Sequence, residues 1–563
     1  MNTSIKRLLT SMAATLAFMP AIYAQSLDES LTVEGKYKPE YIPADRLPVL
    51  PNMMTLSAPQ SPMESDRRGV AAAFPPDALP MPATGWRTSK DFDSSRGYVA
   101  FRLGSWLNSS LSAGYMPVMT DDTKLGIRLQ HNSTSLWQAW KADEEKNIPA
   151  ADKRKRYDET LGIDLRQRVA EAGTLSAGVQ YHLAYFNYYT TVTDRIEDGH
   201  EKAPTQTIND IYAHARWNGS PSGSLDYTVS ADVRHFAYRA AYVPVISYLP
   251  TLISGKGERE TAVNVGGDVK YSLSAKSRLS GELLYSGVIN SIGNDVNRFR
   301  FAPGYEISGA AYSLRLGVDL AVVGAEKTRF RIAPDIRFSA RSGLTAFSAK
   351  IGGGTHLRTL AWMHQMDYYS SPLAGCTHAA YSPLDASLAL QLNPGGKWTL
   401  GLEGTWRTTL DEAYGGLYQS YINGETLYLE PVSARRLHGF SIALNAGYDF
   451  CRYFSLKGKG SWQPQHGNTG FLNGFDRPTF TLDIAAQSRP TDRLMIALDY
   501  NLRARRELLR GNVSRLDLSA EYRITDRLSA GAELRNLLNR HEEILPALPM
   551  EGFNAAAGLQ ITF

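Results

Sequence analysis

The feature that most constrains this chain is a hydrophobic pattern of period two, which recurs from about residue 97 to the C-terminus. Residues Leu516, Leu518, Ala520 and Tyr522 are apolar, and charged or hydroxyl side chains stand between them. Successive side chains of a β-strand point to opposite faces, so such a segment has one apolar and one polar face. The same pattern is present at 161–166, 313–320, 480–487 and 494–503. The sequence therefore predicts an all-β fold.

The length of these segments separates a soluble β-sandwich from a membrane barrel. They run for about 9 to 14 residues, whereas strands of soluble proteins are mostly about 5 or 6 residues long. Tilted strands that cross a membrane need roughly 9 to 11 residues. Tight turns also alternate with long polar stretches, which is typical of bacterial outer-membrane proteins. The turns lie at 274–277, 393–396 and 525–527, and the long stretches at 133–157, 238–258, 408–435 and 540–550.

We therefore predict one large transmembrane antiparallel β-barrel of about 22 strands, formed by residues 88–563. The barrel must be closed, because lipid cannot satisfy the hydrogen bonds of an open sheet edge. A mean hydropathy of −0.29 excludes a polytopic helical membrane protein, and a net charge of +4 is too small to indicate a nucleic-acid partner. Aromatic belts at the two membrane interfaces are expected from Trp398, Trp406, Tyr448, Tyr453 and Trp462.

The N-terminal part of the chain has a different character. Residues 1–24 are typical of a secretory signal peptide, since Lys6 and Arg7 precede an apolar stretch and Ala24 ends it with a small side chain. Residues 25–87 contain ten prolines and show little periodicity. Such a composition favours a short extended segment that has no core of its own. We expect it to lie in the periplasm or to fold against the barrel.

The last strand carries a candidate membrane-insertion signal. Its apolar residues include Phe553, Leu559, Ile561 and Phe563, which end the chain on an alternating pattern. A terminal Phe that closes such a strand resembles the signal read by the barrel-insertion machinery of the outer membrane.

The stretch before this strand resembles a known family. Residues 532–540, Ala-Glu-Leu-Arg-Asn-Leu-Leu-Asn-Arg, are followed by a proline-containing loop and by Gly552-Phe553. This arrangement looks like the end of a TonB-dependent receptor, in which an N-L-L/F-N element closes the penultimate strand. The overall composition resembles that of Bacteroidota outer-membrane proteins. The resemblance covers roughly residues 90–563. It implies an outer-membrane barrel that moves a nutrient or small solute without enzymatic chemistry.

Receptors of that family carry an N-terminal plug inside the barrel, and this chain departs from the pattern. Residues 25–87 are too few and too rich in proline for a full plug. Leu31, Thr32, Val33, Glu34 and Gly35 resemble the valine-rich, glycine-ending segment near the start of a plug, and form a candidate TonB-contact segment. The resemblance therefore implies a truncated or absent plug.

Catalytic and metal-binding patterns are weak. His356, His364, Asp367, Cys376 and His378 are close in sequence, but their spacings match no established ligand pattern. The sequence has no G-x-S-x-G element, and the glycine run at 352–354 lacks the Lys-Ser/Thr of a phosphate loop, so that a bend or close packing is expected there. We expect no enzyme activity, no cofactor and no metal. The sequence leaves open whether Cys376 and Cys451 form a disulfide.

Basic residues on the polar faces allow two interpretations. Lumen-facing arginines could favour anionic solutes, or could fill the lumen as cross-strand ion pairs with interleaved carboxylates such as Asp164, Asp319, Asp499 and Glu533. The basic run 153–156 could pair with lipopolysaccharide phosphates, or could be a solvated cluster in a surface loop. The arginines concerned are Arg166, Arg168, Arg315, Arg503, Arg523 and Arg535.

Three functions remain open from the sequence. The first is transport across the outer membrane of a Gram-negative cell, in the manner of a TonB-dependent receptor. The second is a plugless barrel that serves as a structural or accessory subunit of an outer-membrane complex, and the third is a passive porin. The expected partners are outer-membrane lipid and lipopolysaccharide, the insertion machinery, and TonB or a surface lipoprotein; no nucleic acid is expected.

Overall fold

The fold is taken from a computed structural model of the chain. It describes residues 96–137, 154–169, 173–187, 205–240, 256–291, 293–366, 378–393, 397–419, 426–467, 478–504, 512–540, 543–545, 548–549 and 551–563. The predicted signal peptide and the segment 25–87, with its candidate TonB-contact residues, lie outside the described residues. So do Asp367 and Cys376.

Within the described residues, 22 antiparallel strands form a closed barrel. A 3-10 turn (Ser105–Leu107) follows β1, and one short α-helix, α1 (Leu360–Met366), follows β13. The strands are β1 (Gly97–Gly104), β2 (Ser109–Met119), β3 (Thr123–Trp137), β4 (Arg154–Val169), β5 (Gly173–Asn187), β6 (Thr205–Ser222), β7 (Leu225–Tyr238), β8 (Arg259–Ser274), β9 (Ser277–Asn290), β10 (Val296–Ser308), β11 (Tyr312–Gly324), β12 (Arg329–Ser342), β13 (Thr345–Arg358), β14 (His378–Leu392), β15 (Trp398–Gln419), β16 (Thr426–Cys451), β17 (Phe454–Trp462), β18 (Gln465–Gly467), β19 (Phe480–Thr491), β20 (Leu494–Ala504), β21 (Val513–Arg523), β22 (Leu528–Arg535), β23 (Glu543–Leu545), β24 (Leu548–Pro549) and β25 (Asn554–Thr562). Three of these are accessory strands: β18 continues the line of β17 along β16, and β23 pairs with β24. None of the helices among the described residues is long and apolar enough to cross a membrane.

The barrel closes where the first strand meets the last. Strand β1 pairs with β25, with Tyr98 opposite Thr562 and Phe101 opposite Leu559. The N–H of Arg96 donates to the carbonyl oxygen of Phe563 over 2.7 Å, so the described chain begins and ends at one rim. The predicted all-β barrel of about 22 strands is confirmed.

The alternating sequence pattern separates the two faces of the wall. The outer face exposes apolar side chains such as Phe101, Leu559 and Ile561. Charged residues between such positions point inward and form ion pairs, for example Arg102 with Glu533 and Asp517 with Arg515. The five aromatic residues expected at the membrane interfaces are all exposed. An apolar outer face with an interior of paired charges is the arrangement that a membrane barrel requires.

The two rims differ. Short turns join strands at the rim where β1 begins and β25 ends. They include the predicted turns at 274–277 and 525–527. Connections at the opposite rim, here the loop rim, are longer. One predicted loop is wrong: residues 408–435 are mostly strand, because β15 and β16 continue their ladder to Gln419 and Thr426.

Candidate functional site

Strand β13 leaves the barrel wall halfway along its length. Its ladder with β12 runs from Ser342–Thr345 to Ile336–Ile351 and ends there, although its ladder with β14 continues to Arg358–His378. Residues 329–335 of β12 still pair with β11 on their other side. We call residues 352–366 together with 378–382 the inward hairpin. Its base stays attached to the wall strand β15, where Tyr381 pairs with Leu410, and residues 354–366 contact the inner face of the barrel.

Three consecutive glycines make this departure possible. Gly354 has a φ of +134°, a conformation that residues with a side chain rarely adopt. A Cβ at Gly353 would collide with the carbonyl oxygen of Ser382 and would lie 2.8 Å from the Cβ of Ala333. The ladder between β13 and β14 shifts register at the same point. The expectation of a bend or close packing at 352–354 is confirmed.

The strand half of the inward hairpin docks on an apolar patch inside β9 to β11. Leu357 packs in a buried cluster with Val288, Val296 and Val323. Val323 is 6% exposed, whereas its neighbour Val322 on the outer face is 42% exposed, so the cluster lies on the lumen side of the wall.

Helix α1 continues this docking along the inner face of β5 to β7. Leu360 and Ala361 share a buried cluster with Ala184, Phe186, Ile208, Phe236 and Tyr238. The His364 ring lies among three aromatic rings of the same cluster, 6.2 Å from that of Phe186, 5.6 Å from that of Phe236 and 6.0 Å from that of Tyr238. The inward hairpin therefore lines the lumen from β11 back to β5 near the loop rim.

Polar contacts fix the position of the inward hairpin. The Arg358 guanidinium, only 1% exposed, donates to both carboxylate oxygens of Glu412 on β15, over 2.6 and 2.7 Å. The same guanidinium lies 4.3 Å from the centre of the Trp362 ring. The backbone N–H of Leu360 donates to Glu260 on β8 over 2.6 Å. A buried bidentate pair is weak evidence of net stability, but it specifies one position because removing either partner is costly.

The apolar contacts alone are large enough to keep the hairpin docked. Leu357, Leu360 and Met363 are each at least nine-tenths buried. Burying such a side chain contributes roughly 1.5 to 3 kcal/mol, so the three together contribute about 5 to 9 kcal/mol as an upper estimate. With a docking free energy of that size the undocked state is rarely populated, so the inward hairpin narrows the lumen at rest.

Burial also determines the charge of His364. Desolvation, and secondarily the charge of His182, lowers the pKa of His364 from 6.5 to about 3. The imidazole is therefore neutral at neutral pH, as its packing among aromatic rings requires. Among the described residues, no group of three His, Cys, Asp or Glu side chains is placed to hold a metal ion.

Where β13 no longer pairs with β12, side-chain contacts connect β12 to β14 and β15. Arg329 of β12 donates to Asp411 of β15 over 2.9 Å, and Arg331 lies 3.9 Å from the same carboxylate. The Tyr381 hydroxyl donates to the carbonyl oxygen of Ile332, and Arg331 stacks 4.6 Å from the Tyr381 ring centre. We call these contacts the side-chain seam.

Elsewhere the lumen wall is filled by ion pairs, which was one of the two interpretations of the arginines. Arg315 donates to Asp335 and Glu306, each over 2.8 Å. Arg503 lies 2.6 Å from Asp483, and Arg535 donates to Glu533 over 2.6 Å. Arg166 and Arg168 make no ion pair within the described part of the chain, and they lie near the rim of short turns.

Other predicted residues are accounted for as follows. Phe553, Leu559, Ile561 and Phe563 are exposed on or beside the last strand, and their role as an insertion signal stays a prediction. Cys451 is exposed and has no disulfide partner among the described residues, which do not include Cys376. His364 is a packed core residue of α1. The inward hairpin itself was not predicted, although apolar residues on both faces near the ends of β7 and β11 signal that something covers the inner face there.

The barrel is similar in fold to outer-membrane receptors of known structure. The siderophore receptor PirA from Acinetobacter baumannii shares 12% identity at a TM-score of 0.64, over 83% of this chain and 80% of that one. The FrpB iron transporter from Neisseria meningitidis shares 12% identity at 0.62, over 84% and 82%. A mutant of the ferric enterobactin receptor PfeA from Pseudomonas aeruginosa, in complex with enterobactin, shares 10% at 0.61, over 83% and 81%. No family model and no curated protein sequence matches the chain. At 10–12% identity the likeness is one of fold, namely a large closed β-barrel.

Proposed function

We propose that this chain is a transport protein of the Gram-negative outer membrane, which moves a nutrient or small solute through its lumen past the inward hairpin. The observation that carries the proposal is the closed barrel with an apolar exterior and a charged, ion-paired interior, narrowed near the loop rim by a docked hairpin. The receptor-like fold adds to it, since the three solved relatives are receptors or transporters of iron or siderophores by their descriptions.

Residues 25–87 enter this proposal as a reduced plug. The described chain starts at the rim of short turns, at Arg96. We propose that this segment acts as a stopper, and that Leu31–Gly35 contact TonB. The signal peptide and the placement of the barrel in the outer membrane belong to the same proposal.

The test is single-channel conductance in a planar bilayer, measured for the intact mature protein and for a variant without residues 25–87. Silence from the intact protein and conductance after the deletion would support a stoppered transporter. Large, steady conductance from the intact protein would favour a passive porin instead. Silence from both forms would favour the accessory-subunit function, with the lumen closed by the inward hairpin and the wall side chains.

TonB engagement needs a separate test. A photo-crosslinking residue in place of Thr32 or Glu34 should capture TonB in living cells if the segment contacts it. Recovery of TonB with a known receptor, but not with this chain, would remove energised transport from the proposal and leave passive transport.

A further inference from the structure

We propose that the inward hairpin is a gate with two strand registers, one docked inside the lumen as in this structure and one inserted in the barrel wall between β12 and β15. In the inserted register, residues 352–358 of β13 pair with residues 329–335 of β12. The consequence for solute passage rests on the proposed function, but the second register is a property of the wall and can be tested by itself.

The two segments beyond the end of the β12–β13 ladder match in length. The ladder between β12 and β13 ends at Ile336–Ile351. Continuing its register places Gly352 opposite Asp335 and Arg358 opposite Arg329, where β12 begins. Seven residues of β12 that have no partner strand on that side among the described residues therefore correspond to seven residues of β13 that pair with β14 alone.

The two segments also match in the faces that they would present. The same register places Leu357 opposite Phe330 and Thr355 opposite Ile332, and these two β12 residues are 64% and 55% exposed on the outer face. On β14, Ala379 and Tyr381 pair with Leu357 and Thr355, so they would join the same apolar surface.

The other face suits the lumen. Arg358, His356 and His378 alternate with the apolar residues of the hairpin strands, so insertion would turn them inward. The inward hairpin keeps the alternation of a wall strand.

The structure provides a hinge and a latch for the exchange. The hinge is Gly352–Gly354, where the φ of +134° at Gly354 would relax to the extended conformation of a strand. The latch is the side-chain seam, in which Asp411 holds Arg329 from a left-handed backbone conformation with a φ of +54°. Inserting two strands between β12 and β15 requires this pair to separate. Insertion would widen the loop rim and clear the lumen lining.

The docked register is the resting one, because two apolar clusters and the Arg358–Glu412 pair hold it. A shift to the inserted register requires something that binds the inserted state better, such as a solute in the lumen or a partner at the loop rim.

Disulfide trapping tests the proposal in the full mature chain, in a background where Cys376 and Cys451 are replaced by Ser. The inserted register places Ile332 directly opposite Thr355, so Ile332→Cys with Thr355→Cys should form a disulfide in that state. In the docked state Ile332 is exposed and Thr355 is buried, so we expect the pair to oxidise more slowly there than in the inserted register. Val323→Cys with Leu357→Cys reports the docked state.

A substitution in the hinge should shift the equilibrium from the docked to the inserted register. Gly354→Ala penalises the docked register, because Ala at positive φ is strained, while the extended form accepts it. We expect trapping of the Ile332–Thr355 cysteine pair to accelerate about 5- to 30-fold in Gly354→Ala. Gly404→Ala in the wall strand β15 is the matched control, since a Cβ there meets no atom within 4 Å, and it should leave the trapping rate unchanged.

Two outcomes separate this proposal from the proposed function. Heat-modifiable migration on a gel verifies that each variant forms a folded barrel. If the Val323–Leu357 cysteine pair then oxidises fully while the Ile332–Thr355 pair never does, even with Gly354→Ala, the second register does not exist. If the inserted register is trapped but its conductance and solute uptake equal those of the reduced protein, the two registers stand and transport past the hairpin fails.

Discussion

Replacing Glu412 with Ala should undock the strand half of the inward hairpin. The substitution leaves the guanidinium of Arg358 buried at 1% exposure without the two carboxylate oxygens that now lie 2.6 and 2.7 Å from it. Removing one partner of a buried pair costs about 3 to 5 kcal/mol, which is roughly two to three and a half orders of magnitude in the docking equilibrium. That cost is of the same order as the apolar docking free energy of about 5 to 9 kcal/mol estimated from burial. We therefore expect the hairpin to be partly released and not fully expelled.

The assay is hydrogen exchange of the backbone amides between Thr355 and Met366, read by mass spectrometry in detergent. In Glu412→Ala the exchange of these amides should accelerate by a factor within that range, while the ladder between β19 and β20 stays protected. Asp268→Ala is the control, because its pair with Lys270 spans 3.8 Å and is half-exposed, so its loss should cost under about 1 kcal/mol.

The double variant Arg358→Met with Glu412→Leu distinguishes the effect of an unpaired buried charge from the effect of lost side-chain volume. It removes both charges and keeps apolar volume, so docking should be close to that of the natural chain. If Glu412→Ala exchanges no faster than Asp268→Ala, the ion pair does not hold the hairpin. If the double variant is as fast as Glu412→Ala, the loss comes from shape and not from an uncompensated buried charge.

Three further predictions concern other contacts. Burial lowers the pKa of His364 from 6.5 to about 3, so the docking that depends on its neutral form is complete above pH 6.5 and weakens as the pH falls toward 3. His364→Leu should flatten that pH dependence of amide exchange, and an unchanged slope would assign it to a group other than His364. The Phe563 ring stacks on that of Tyr115 at 6.3 Å, and its backbone forms hydrogen bonds with Gly97. Deleting Phe563 should therefore lower the yield of heat-modifiable barrel several-fold, whereas Leu344→Ala at an exposed turn should not. Equal yields would remove the predicted insertion role. Gly353→Ala should raise conductance in the variant without residues 25–87, because its Cβ cannot fit beside Ser382 and Ala333 in the docked hairpin; no change would mean that the hairpin does not limit the current.

The outer wall could be predicted from the sequence because its physics is local. Alternation at Leu516–Tyr522 or Leu559–Phe563 places apolar side chains on the lipid face wherever a strand crosses the membrane, and the number of such segments gives the number of strands near 22. The same reasoning failed at 408–435, where β15 and β16 are 22 and 26 residues long. Strands of that length extend past the roughly 9 to 11 residues that a membrane requires, and both of their faces then meet water. The apolar half of the pattern disappears there although the ladder continues.

The inward hairpin could not be predicted, because its partners are distant in sequence and its own pattern fits two positions. Leu357 and Thr355 alternate with His356 and Arg358 just as a wall strand would, so the alternation by itself places β13 in the wall to its end. The deviation is encoded elsewhere, in the glycines at 352–354 and in inward-facing apolar residues on strands such as β7 and β11. Phe236 and Tyr238 would face water if nothing covered them, and so would Val323, which costs more than the ladder contacts that β13 gives up. The wall pattern within the hairpin and the apolar patches beneath it thus favour different positions for the same residues.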